Sequence, residues 1–199
     1  MLRPVLLFIF LNVFISNALQ SQEVKFGVKG GLNHSWLIGD TNENFGARYS
    51  YHLGVFSDFA LKNKWSFRPE LIYSRQGSKF KGSFNVDDLN PGVQEVNNSF
   101  EFVFGSDYLQ LPLLLRIQLT DFFALDFGPQ IGVSVNGDSK LDYGPTFDVD
   151  FKLQDRMNLQ LRYYFGVSDL FRTTVIGGSV FDDDFLNSVV QLSIGYRIF

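Results

Sequence analysis

The stretch Pro145–Val167, PTFDVDFKLQDRMNLQLRYYFGV, reads as two strands joined by a tight turn. Before the turn, Pro145, Phe147, Val149, Phe151 and Leu153 alternate with Thr146, Asp148, Asp150 and Lys152. After it, Met157, Leu159, Leu161, Tyr163, Phe165 and Val167 alternate with Asn158, Gln160, Arg162, Tyr164 and Gly166. A period of two puts one wholly apolar face and one charged face on each strand. The fold turns on which face lies inside.

The same alternation recurs along the chain. It runs from Val24 to Asn33, Tyr51 to Leu61, Trp65 to Gln76, Tyr108 to Leu119, Phe123 to Val135 and Val190 to Ile198, giving eight strands with the hairpin. Connections after the second, fourth and sixth strands are very short, such as Lys62-Asn63-Lys64, Thr120-Asp121 and Gln154-Asp155-Arg156. The others are long. The 77–106 segment, with Gly82, Pro91 and Gly92, reads as a long loop whose ends extend the strands, Phe100–Phe104 among them. Short and long connections in strict turn put all tight turns at one end, which is the pattern of an up-and-down meander.

Crowding decides the inside. Eight strands close around a space just wide enough for side chains. Gly27, Gly31, Gly54, Gly128, Gly132, Gly166 and Gly195 all share the polar face, with Ala60 and Ala124, whereas the apolar face carries mostly Leu, Phe, Ile, Val and Tyr. Only the polar face fits inward. The expected fold is all-β, an eight-stranded antiparallel up-and-down transmembrane β-barrel of a bacterial outer membrane. Strands of about 10 residues, rising about 3.3 Å each and tilted near 45°, match an apolar band about 25 Å tall.

This assignment sends Lys25, Lys29, Asp58, Arg68, Glu70, Arg116, Asp126, Asp148, Asp150, Lys152, Arg162 and Arg197 into the lumen. Seven basic and five acidic groups in a narrow, lipid-walled space survive by pairing or by meeting water, so a cross-strand ionic network is expected rather than an open pore. Toward lipid point Leu109, Leu111, Leu113, Leu115, Phe127, Phe147, Val149, Leu161, Phe165, Leu192, Ile194 and Tyr196. Trp36, Trp65, Tyr49, Tyr51 and Tyr143 fall near strand ends, where aromatic girdles belong. Pro69, Pro112 and Pro129 each remove a ladder donor and are expected at bulges or strand ends.

Arg3, the apolar run from Val5 to Ile15 and the small residues of Ser16–Ser21 read as a signal peptide over residues 1–21, cleaved between Ala18 and Ser21. The barrel domain then covers residues 22–199. The chain has 199 residues, 23 Phe, 8 Tyr, no Cys and a formal net charge of -4. With no cysteine there are neither disulfides nor thiolate metal sites, and the acidic balance argues against nucleic acid. His34 and His52, both expected near the long-loop rim, have no Ser, Asp and His spacing that supports a hydrolase. Asp182-Asp183-Asp184 lacks the spaced ligands of a calcium loop and reads as a solvated acidic tip. No catalytic residue, metal or cofactor is assigned.

Six blocks resemble a known family: GVKGGLNHS from Gly27, PELIYSRQGSK from Pro69, DYLQLPLLLRI from Asp107, GPQIGVSVN from Gly128, LRYYFGVSDL from Leu161 and the closing LSIGYRIF. They are similar to the PorT-like outer-membrane β-barrel family of Bacteroidota. The resemblance implies an outer-membrane barrel; the family takes its name from a member linked to protein secretion, but no motif carries that role to particular residues here. The expected function is a non-enzymatic membrane anchor, scaffold or interaction protein with periplasmic termini and extracellular long loops. Its partners would be outer-membrane lipid and, during insertion, the barrel-assembly machinery. The alternatives are a small-solute channel and an accessory factor of secretion across the outer membrane. The closing aromatic Phe199 is out of phase with the lipid-facing residues, and Ile198 is in phase.

Overall fold

The computed structural model describes residues 24–38, 45–85, 97–136, 141–168, 174–176, 179–181 and 186–198. The expected signal peptide and the Asp182–Asp184 run lie outside them. Among the described residues there are ten strands: β1 Val24–Ile38, β2 Phe45–Ala60, β3 Trp65–Asn85, β4 Asn97–Thr120, β5 Phe123–Ser134, β6 Leu141–Lys152, β7 Met157–Phe165, β8 Thr174–Ile176, β9 Ser179–Phe181 and β10 Leu186–Arg197. Eight of them close a barrel in the order β1-β10-β7-β6-β5-β4-β3-β2, each antiparallel to its neighbours. The barrel closes where β1 meets β10, from Gly27↔Arg197 to Ile38↔Leu186. No helix among the described residues is long and apolar enough to cross a membrane.

Inward and outward faces follow the glycines. Gly128 and Gly31 show why: a Cβ on Gly128 would stand 2.1 Å from the Leu113 carbonyl oxygen, and one on Gly31 1.9 Å from that of Leu192. Both obstacles are backbone, which cannot swing aside. The inner wall is thus as crowded as the sequence implies. A few larger inward groups, Phe56, Ile72, Leu114, Tyr108 and Tyr164, are buried between the charges. Outside, Leu161, Phe147, Leu192 and Ile194 stand about half exposed in the isolated chain, as residues facing hydrocarbon must. Aromatic rings cluster at both ends of this band. His34 packs at a tilt against Trp36 and Tyr49 toward the long connections, while Phe59–Phe67 and Phe123–Phe151 pair toward the tight turns. The Arg75–Asp107 pair beside Tyr51, with its guanidinium partly exposed, marks where the apolar band ends.

Four expectations need correction. The segment after the third strand is mostly not loop: β3 and β4 stay paired up to Asn85↔Asn97, although Phe100–Phe104 extends the strand as expected. Apolar alternation fades there because ladder hydrogen bonds need no lipid-facing side, so the pattern loses its cause while the pairing persists. Secondly, the connection between β7 and β10 holds the small β8–β9 hairpin. Thirdly, the prolines lie in mid-strand. Without offset, the ladders run from Pro69↔Leu113 to Ile72↔Gln110 and from Pro112↔Gln130 to Leu115↔Phe127, three residues on each strand, and Pro129 faces Pro145. Finally, β2 begins at Phe45, so His52 lies well inside the barrel and not at its rim.

The register shifts beside a tight turn at Gln118/Thr120 and, within the wall, in β2, where four residues, Arg48–Tyr51, oppose three of β3. A bulge leaves backbone groups without ladder partners, and lumen side chains supply them. Asn33 Nδ2 donates to the carbonyls of Tyr51 (3.0 Å) and Arg75 (2.8 Å), and Ser35 Oγ donates to that of Gly77 (2.8 Å). Of the tight turns, residues 61–64 place Asn63 in the left-handed region (φ 57°), one of the few side chains that tolerates it.

Candidate functional site

The lumen is the most elaborated part of the molecule, and it is layered. Toward the tight turns, Arg68 lies across the centre of the barrel. Its Nε and Nη2 form a fork on Asp58 (2.6 and 2.8 Å), and its Nη1 reaches Asp150 (3.1 Å) and Asp126 (3.3 Å). The Phe56 ring supports the guanidinium at 4.6 Å. Arg116, entering from β4, donates Nη2 to Asp150 (2.7 Å) with its Nε 3.3 Å from Asp126. Five strands contribute to this one cluster, because inward residues at equal height on neighbouring strands meet around a common axis.

One layer further, Arg162 forks onto Asp148 (2.7 and 2.5 Å) and also donates to Glu70 Oε2 at 2.8 Å. Lys29 donates to the same Glu70 oxygen (2.9 Å) and to Gln160 Oε1. Gln160 in turn donates to Asp148 (2.8 Å), and Asn158 to Asp150 (2.5 Å). These carboxylates and cations are almost wholly removed from solvent, which is tolerable only because each charge meets its opposite.

Toward the long connections the lumen turns from ionic to neutral. His52 donates through Nδ1 to Asn33 Oδ1 and shares a hydrogen bond at Nε2 with Ser193 Oγ, each at 2.7 Å. Gln191 and Ser74 extend this set, and Gln76 Oε1 accepts from Asn187 at 2.6 Å. Above them the buried Asp142 carboxylate accepts from Tyr164 (2.8 Å), Ser168 (2.9 Å) and Asn187 (2.9 Å). Ser193, His52 and Asn33 have the distances of a nucleophile, base and orienting group. All three are at most 1% exposed, however, so no acyl carbon can be brought to Ser193 in this conformation. What they do is tie β1, β2 and β10 together.

Of the twelve expected lumen charges, Lys29, Asp58, Arg68, Glu70, Arg116, Asp126, Asp148, Asp150 and Arg162 are buried inside the barrel and meet in the two ionic layers. Lys25 and Arg197 stand half-buried at the tight-turn mouth. Lys152 is a correction: it is exposed at the end of β6 and bonds Asp155 of the following turn (2.9 Å), holding that carboxyl below its usual range, because the strand leaves the barrel before its side chain can turn in. The twelve expected lipid-facing residues all lie on the outward phase, none of them buried. Sequence reasoning passed over the neutral layer. Its signal was present in part, since Asn33, Ser74, Gln76 and Gln191 share the inward phase and were hidden by attention to formal charge, whereas Asp142 and Asn187 fall in stretches expected to be loop that belong to β6 and β10. Among the described residues no group of His, Asp and Glu is placed to hold a metal ion.

Comparison with known proteins bears on the wall rather than the lumen. Residues 20–172 match the family model described as the outer membrane protein beta-barrel domain. The chain belongs to this family. It is therefore an integral barrel of a Gram-negative outer membrane. Solved structures similar to this barrel include the attachment invasion locus protein Ail of Yersinia pestis, at 11% identity and TM-score 0.47, covering 88% of this chain and 99% of Ail. OprG of Pseudomonas aeruginosa is similar at 12% identity and TM-score 0.43, covering 89% and 97% of the two chains. The outer-membrane protein AlkL, determined in lipid bilayers, is similar at 13% identity and TM-score 0.46, covering 86% and 90%. No curated protein sequence matches the chain.

Proposed function

We propose that this outer-membrane barrel is a closed, non-enzymatic anchor that presents its long connections, including the extended β3–β4 hairpin, to a partner outside the cell. The observation that supports this is the lumen. Arg68, Arg116 and Arg162, with five carboxylates, fill its cross-section, and a hydrated ion would have to break several buried ion pairs to pass. In planar bilayers the purified protein is expected to show no sustained conductance. Steady single-channel currents from the wild-type barrel would replace this reading with the small-solute channel.

The PorT-like blocks support a place among the barrels of Bacteroidota, and the length of the β3–β4 hairpin supports tight turns on the periplasmic side. Outer-membrane lipid and the barrel-assembly machinery are the partners such a protein requires. Because the chain has no cysteine, one placed at the 96%-exposed Asp155 gives a clean probe. In intact cells an Asp155→Cys variant is expected to resist a bulky polymer-linked maleimide and to react once the outer membrane is permeabilised. Reaction in intact cells would reverse the orientation.

A further inference from the structure

At the tight-turn mouth the ionic cluster opens into a cavity of about 200 Å³. Lys25, Lys64, Arg116 and Arg197 line it, with Asp58 as the one carboxylate among the described lining residues. That carboxylate is already committed, because both of its oxygens are held by Arg68 at 2.6 and 2.8 Å. Arg197 stands 3.9 Å from it and Arg116 Nη1 3.8 Å, both beyond hydrogen-bonding distance. Behind the cavity Asp150 accepts from Arg116 Nη2 at 2.7 Å, and Asp126 stands 3.3 Å from Nε without a hydrogen bond to it.

Arg116 carries the inference. Its side chain is only 4% exposed, yet Nη1 has no hydrogen-bond acceptor among the described residues. A buried guanidinium N–H without an acceptor costs more than an exposed one, and this one stands 3.8 Å from Asp58, which lines the mouth. Among the described lining residues cations outnumber carboxylates, with the Ser66 and Gln118 side chains as neutral polar neighbours. The volume is below the range of about 300–1,000 Å³ typical of sites for drug-sized ligands, so the occupant is small. Guanidinium and ammonium groups lining one small cavity suit a compact oxyanion with several acceptors.

We propose that the tight-turn mouth binds an oxyanion of the phosphate class, held by Arg116 from within and by Lys25, Lys64 and Arg197 from the rim. Trp65 lines the same cavity at the membrane boundary, so the phosphate can be free or belong to a lipid headgroup. Two arms separate these sources. In the first, the barrel is folded in a maltoside detergent and titrated calorimetrically with inorganic phosphate, against chloride at equal ionic strength. In the second, it is folded in phosphatidylcholine vesicles with or without phosphatidylglycerol, extracted, and weighed by native mass spectrometry for retained lipid.

The control is the Lys25→Gln/Lys64→Gln double variant, which leaves the buried cluster intact and whose folding is checked by its heat-modifiable mobility. Saturable phosphate binding, weakened at least tenfold in the variant, establishes a site for free phosphate. Phosphatidylglycerol retained by the wild type and lost from the variant, with or without phosphate binding, establishes a lipid headgroup site. Binding of either probe that is equal in wild type and variant, or binding of neither, overturns the proposal.

Discussion

Replacing Arg162 with methionine is expected to destabilise the barrel by about 3–5 kcal/mol, the cost of removing one partner from a buried ion pair. Arg162 is fully buried, as are the Asp148 and Glu70 side chains that accept from it. Once it is gone, Glu70 keeps Lys29, but Asp148 keeps only the Gln160 amide. A carboxylate in that position must either stay charged without a cation or take up a proton, and both outcomes weaken the folded state at neutral pH. The measurement is the urea midpoint of folding in lipid vesicles, read from heat-modifiable mobility. The Arg162→Met/Asp148→Asn double variant should recover part of the loss, because the stranded charge is then removed as well. A single-variant effect under about 1 kcal/mol would mean that water, not Arg162, satisfies Asp148.

The neighbouring residue obeys the opposite rule. Leu161→Arg is expected to cost about 2–4 kcal/mol, the penalty for a cation near the bilayer midplane on the lipid side of a barrel. Leu161 lies between Val149 and Leu192 on the flanking strands, outward and 47% exposed in the isolated chain. In a water-soluble protein such a change at a half-exposed site would be nearly neutral. The same urea titration therefore distinguishes a lipid-facing wall from a solvent-facing one. A loss below 0.5 kcal/mol, with folding intact, would contradict the assignment of the outer face. Two adjacent residues thus give two large losses, one from removing an arginine and one from adding an arginine.

That contrast also explains what could be read before any coordinates. Period-two alternation survives wherever two faces of a strand meet different surroundings, and lipid against lumen is the sharpest such difference. Hence the hairpin around Gln154–Arg156 was plain, and the glycines beside its charges settled which way it faced. The upper β3–β4 extension was not, since water on both sides removes the alternation. Lys152 shows a third limit. It keeps the inward phase of Asp148 and Asp150, but phase says nothing about where along its length a strand leaves the barrel. Pairwise partners were beyond reach for a different reason. The strand order of a meander puts Arg68 of β3 beside Asp150 of β6 only after closure, and no local pattern encodes a contact across the diameter.

The junction of β1 with β10 has a kinetic consequence. Every other neighbour in the barrel can pair with a strand close to it in the chain, whereas Gly27 waits for Arg197. Contacts between distant residues are the slow ones to form. Until that last pairing, two rows of unpaired amides and carbonyls would face hydrocarbon, where each unmet group costs several kcal/mol. A half-made barrel is therefore much less stable in the membrane than either the unfolded chain outside it or the finished one within, and insertion and closure must proceed as one event.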